Sequence, residues 1–128
     1  MRTLAREAVF KYIYSRLFNP DDEGLFDVLV KSFSLEDKDF ALKLKNQITE
    51  NENKYLENIS NLSIGYKLNR IYSADKCALM IGMAEFDLFS ETPKIVIIDE
   101  AVKLSAKYSA ENSPDFVNGI MATYTEGK

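Results

Sequence analysis

The stretch Ser113-Pro-Asp-Phe-Val-Asn-Gly-Ile-Met121 decides how the chain is read, because it carries two contradictory signals. Asn118-Gly119 is a common marker of a tight hairpin turn, yet the residues around it favour a helix. Ser113 can cap a helix start, Pro114 is pre-set for the first helical position, and Asp115 suits the positive end of the helix dipole. Phe116, Val117, Ile120, Met121 and Tyr124 then follow at helical spacing. A hairpin needs strands on both sides, and Pro114 makes a poor one. The helix reading therefore prevails. It leaves Gly119 as a cost of about 1 kcal/mol relative to alanine, which predicts close approach of another backbone there, with Asn118 bonding an exposed loop end.

Working outward, the same three-and-four spacing recurs along the chain, so the fold class is all-α, with about seven helices. Ala5, Val9, Tyr12, Ile13 and Leu17 form a stripe over 3–18, with Thr3 placed to cap it. Asp21 or Asp22 can start a second helix carrying Leu25, Phe26, Leu29, Val30 and Phe33. Ser34 and Asp37 give a Ser-x-x-acid start to a third, continued by Phe40, Leu44 and Ile48. Tyr55, Leu56, Ile59 and Leu62 keep helical register. Ser73 is placed to cap a helix apolar on most sides, from Cys77 to Phe89, which predicts a central position. Pro93 opens another through Tyr108, with Asp99, Lys103 and Lys107 on its outer side. The alternative of a buried strand at Lys94–Asp99 has no second strand to pair with.

The 128 residues are 46% apolar and amount to one domain's worth. The longest apolar runs fall far short of the roughly 20 residues of a membrane span, and the amino-terminal segment alternates charge and apolarity too soon for a secretory signal, so the expected setting is the cytoplasm. One cysteine and no histidine exclude an internal disulfide, His-based triads and His-ligated metals. No phosphate loop, nucleophile elbow or metal spacing is present, which speaks against an enzyme and against a cofactor or metal. Net charge is −4, unevenly placed. Arg2, Arg6, Lys11 and Arg16 outnumber Glu7 over 1–20, whereas 21–39 are strongly acidic. Arg2 and Arg6, one turn apart at a helix start, oppose the dipole there at a cost of roughly 0.3–1 kcal/mol, and two arginines on one exposed turn can hold phosphates.

The run from Asn69 to Tyr124, with Asp75-Lys76 opening a helix, Glu85 late in it, Pro93, and "IIDEAVKLSAKYSAENSPDFVNG", resembles the second half of the NusB family of bacterial transcription antitermination factors. The amino-terminal "LAREAVFKYIY" is similar to the start of the same fold, and residues 20–65 follow it by helix pattern. The resemblance implies one domain over 1–128 built from two small perpendicular helix bundles, 1–60 and 61–128. It implies a partnership with NusE, a small-subunit ribosomal protein, in binding boxA RNA of nascent ribosomal transcripts and loading an antitermination complex on RNA polymerase.

By the same resemblance Arg2, Arg6 and Lys76 are RNA-contact candidates, and Glu85 and Asn112 partner-contact candidates. Met80 and Asp115 stand where the family often has basic residues, so low intrinsic RNA affinity is expected. Replacing Arg2 and Arg6 by alanine is expected to weaken an RNA complex without unfolding the protein. The alternatives are a NusB-like interaction module or homodimer with little RNA binding, and the similar RNA-binding domain of certain ribosomal RNA cytosine methyltransferases, which no catalytic sequence after Lys128 supports.

Overall fold

The computed structural model describes residues 2–20, 24–63, 65 and 68–126. Among them are seven α-helices, one short 3₁₀ turn at Leu68–Arg70 and no strand. The helices are α1 (Arg2–Arg16), α2 (Gly24–Val30), α3 (Leu35–Glu50), α4 (Glu52–Leu62), α5 (Ser73–Leu88), α6 (Lys94–Tyr108) and α7 (Ser113–Glu126). Asp21 and Asp22 lie outside the described residues.

The helix starts follow local chemistry in part. Ser34 caps α3 as its spacing suggested, its Oγ accepting from the Asp37 N–H at 3.1 Å. Thr3 does not cap α1. It sits inside the helix, and its hydroxyl is spent on α6 instead. Ser73 is the first helical residue of α5, with Tyr72 in the cap position and no side-chain cap bond. The 94–99 segment is helical, preceded by Pro93.

Central α5 is buried along nearly its whole length, from Ala74 to Glu85, and packs against α1, α3, α4, α6 and α7. This is what a helix apolar on most sides requires. Ala5, Val9 and Ile13 of α1, Leu44 and Ile48 of α3, Tyr55 and Ile59 of α4, Ile97 and Ala101 of α6, and Val117 and Met121 of α7 belong to the same apolar cluster. Leu17, assigned to the α1 stripe, falls beyond the helix end and is exposed. A polar tie supplements the core. Asp87 accepts from the hydroxyls of Tyr55 at 2.8 Å and Tyr124 at 2.9 Å, and Tyr55 accepts from Gln47 at 2.9 Å, so α3, α4, α5 and α7 meet through one carboxylate. Burial first, then the adjacent Asp87, push both phenols above their ordinary range.

The glycine that permits close packing is Gly82, and the expectation placed on Gly119 fails. A Cβ at Gly82 would lie 2.8 Å from Met121 Cε, 2.9 Å from its sulfur and 3.3 Å from Ala101 Cβ, where α5, α6 and α7 converge. Gly119 is exposed with nothing within 4 Å of such an atom, and Asn118 beside it is exposed without a hydrogen bond from its side chain to a described residue. Gly119 faces outward because the buried stripe of α7 runs through Val117, Ile120, Met121 and Tyr124.

Two outcomes follow. Gly119→Ala should raise unfolding stability by up to about 1 kcal/mol in a urea titration, whereas Gly82→Ala should lower it because the Met121 side chain must move. Cys77 is fully buried, and loss of solvation pushes its thiol up to about 12. A thiol reagent at pH 8 should therefore leave the native protein unlabelled and label it after unfolding.

Candidate functional site

The first two turns of α1 hold Arg2 and Arg6, the arginines singled out for phosphate contact, and the structure divides them. Arg6 is buried, at 4% exposure, on the side of α1 that meets α5 and α6. Its Nε and Nη2 donate to the two carboxylate oxygens of Glu85 at 2.6 and 2.7 Å, a bidentate fork. Its Nη1 donates to Glu100 Oε1 at 2.6 Å, and the Thr3 hydroxyl donates to that same oxygen at 2.6 Å. Lys103 Nζ approaches the other Glu100 oxygen at 3.6 Å from the exposed side of α6. Two buried carboxylates thus share one buried guanidinium, and Lys103, which bonds Asp99 more closely at 3.1 Å, adds a peripheral positive charge. Burial opposes the charge on Arg6, but the bonds and charges of Glu85 and Glu100 outweigh it and hold the guanidinium above its ordinary pKa.

The expectation of two arginines on one exposed turn is therefore corrected at Arg6, whose position between α5 and α6 keeps it from solvent. Glu85, read as a partner contact, is 1% exposed and is bonded to Arg6 in the interior. A signal for this pair was present in the sequence: one acid in the apolar run of α5, and one cation next to the apolar stripe of α1. Ions in such places need each other.

Arg2, one turn earlier, is half-buried and differently placed. Its guanidinium carbon lies 4.5 Å from the centre of the Phe40 ring and 5.6 Å from that of Phe89. No carboxylate of a described residue forms a direct ion pair with it, although Asp37 of α3 is near enough to interact with its charge. By contrast Arg16 bonds Glu52 at 2.9 Å, joining the end of α1 to the start of α4, and Lys107 bonds Glu7 at 2.6 Å across the α6–α1 surface. Lys76, in the first turns of α5, is half-buried, and its ammonium also pairs with no described carboxylate. Met80 is a core residue and Asp115 is exposed.

Asn112 stands at the far end of the sequence pattern, exposed just before α7. It borders a shallow pocket with Arg70, Tyr72, Asp75, Ser113 and Phe116. Asp75 Oδ2 accepts from the Ser113 hydroxyl at 2.9 Å, while its Oδ1 is buried with no donor among the described residues. Ser113, expected to cap α7, is instead its first helical residue, and its hydroxyl joins the starts of α5 and α7. No group of three or more metal-binding side chains occurs among the described residues, and none of their helices is long and apolar enough to cross a membrane.

The described residues thus combine an all-helical fold, one outward arginine at the start of α1 and a polar pocket between the starts of α5 and α7. The NusB family model matches residues 2–126. The transcription antitermination protein NusB of Aliarcobacter butzleri is 36% identical, over 94% of this chain and 93% of that protein. Its counterpart in Clostridium novyi is 31% identical, over 94% of each. A solved structure of T. maritima NusB superposes with a TM-score of 0.90 at 29% identity, covering 98% of this chain and 91% of that one. A crystal structure of antitermination factors NusB and NusE in complex with dsRNA shares the fold, with a TM-score of 0.86 at 21% identity, covering 99% and 97%. The chain belongs to the NusB family, whose members are transcription antitermination factors rather than enzymes.

The buried position of Arg6 reverses the expectation that it can be removed without harm. Arg6→Ala would leave two interior carboxylates without their cation, so it should cost about 3–5 kcal/mol of stability by urea unfolding. Arg2→Ala should change the unfolding midpoint little.

Proposed function

We propose that this chain, with a NusE-type ribosomal protein, binds boxA-like RNA of nascent ribosomal transcripts and helps to load an antitermination complex on RNA polymerase in the cytoplasm. The observation that carries the reading is Arg2: a cation at a helix start, held against aromatic rings and in no direct ion pair with a described carboxylate, with Asp37 of α3 near enough to feel its charge. Phosphate oxygens are the natural counter-charge for such a group, and the first backbone N–H groups of α1 add donors. Family membership supplies the biological frame.

Within this reading Arg2 and Lys76 contact RNA, Arg6 fixes the helix that presents Arg2, and the pocket beside Asn112 takes the protein partner. The buried Asp75 Oδ1 supports the last assignment, because an acceptor without a donor favours a group that brings one. Glu85 is too deep to share in it.

Two cations at the proposed contact, Arg2 and Lys76, mean few phosphate contacts there and weak binding by the chain alone. RNA titrated into the isolated protein should bind poorly, and adding NusE should raise affinity at least several-fold. Arg2→Ala should weaken the ternary complex and reduce the slope of log K against log salt by about 0.7–0.9, one phosphate's worth. Absence of RNA binding with and without NusE, at low and moderate salt, would overturn the adaptor reading.

A further inference from the structure

We propose that Phe89, together with Phe40, is a positioning residue for the RNA contact of Arg2; the inference rests on the reading of Arg2 just given. The two rings come from different helices. Phe40 lies in α3 and is buried, at 3% exposure, whereas Phe89 follows the last residue of α5 and is half-buried. Their centres are 5.0 Å apart with planes inclined by 33°. Arg2 rests over both, at 4.5 and 5.6 Å, and the Arg6 guanidinium lies 5.5 Å from the Phe40 ring centre. Arg6 is itself locked by Glu85 of α5 and Glu100 of α6. The platform is therefore assembled by α3 and α5 and adjoins a fixed ionic cluster.

A cation is drawn to the negative face of an aromatic ring, and this attraction places the charge without consuming it in a carboxylate pair. The consequence is specific to arginine in a binding site. A free arginine side chain has many rotamers, and freezing it on a ligand subtracts from affinity. One already confined by two rings loses less. Among the described residues of the first two turns of α1, Arg2 is the cation left available, since Arg6 is turned inward. The affinity contributed by that helix start thus depends on how well one guanidinium is held in advance.

The test is a double-mutant cycle in full-length protein with NusE present, using a boxA-like RNA and comparing Arg2→Ala, Phe89→Leu and both together. Phe89 is chosen because leucine keeps an apolar cover at a half-buried position, and urea unfolding of each variant checks the fold. Phe89→Leu should weaken RNA binding about twofold to tenfold while leaving the salt slope unchanged, because the charge is still present. In the Arg2→Ala background it should have no further effect, and Phe89→Tyr, which retains the ring, should bind as the parent does. Effects that multiply in the double variant, or full affinity in Phe89→Leu while Arg2→Ala is impaired, would overturn the positioning role alone. Unchanged affinity in Arg2→Ala would overturn the RNA contact of Arg2, and this inference with it.

Discussion

The bidentate bond between Arg6 and Glu85, extended by Glu100, is the constraint on which the arrangement of the first helix depends. A guanidinium and two carboxylates are held in the interior where α1, α5 and α6 meet, each costly to bury and each tolerable only because the others are present. Ion pairs of this kind add little net stability compared with apolar packing, but they are demanding about geometry. Apolar packing, such as that of Ala5 and Val9 in the common core, allows some sliding. The fork of Arg6 on Glu85 does not, because two parallel bonds of 2.6 and 2.7 Å exist in one register only.

That register has a consequence for the outer residues of the same turn. Thr3 shares the Glu100 oxygen with Arg6, and Arg2 is set over the Phe40 ring that also lies close to Arg6. One arginine is given up to the interior, and the other is presented at the surface from a fixed base. A helix start with one outward arginine can in this way make a defined contact from a single charge, in place of a diffuse one from many.

The helices were legible in the sequence because their signal is local. The period of apolar residues, the Ser34–Asp37 cap and the apolar girth of α5 all lie within one or two turns of the feature they predict. The ionic cluster was not legible in the same way: Arg6 and Glu85 are 79 positions apart, and only the packing of α1 on α5 brings them together. Gly119 and Gly82 make the same point. Both are glycines in apolar helices, and the face each occupies, one outward and one against Met121, is decided by neighbours that the local pattern does not name. The orphan oxygen of Asp75 likewise depends on where α7 starts relative to α5.

The central placement of α5 also orders the motions of the molecule. With five helices packed around it, its amide hydrogens can reach solvent only when most of the structure opens, so their exchange reports the global free energy of unfolding. The seven-residue α2, which leans chiefly on α1, can separate without disturbing that centre and belongs to the least protected part of the chain. The amides of α1 from Arg6 onward, tied to α5 and α6 through that residue, fall with the slow-exchanging core, whereas the first-turn N–H groups have no helical acceptor to protect them.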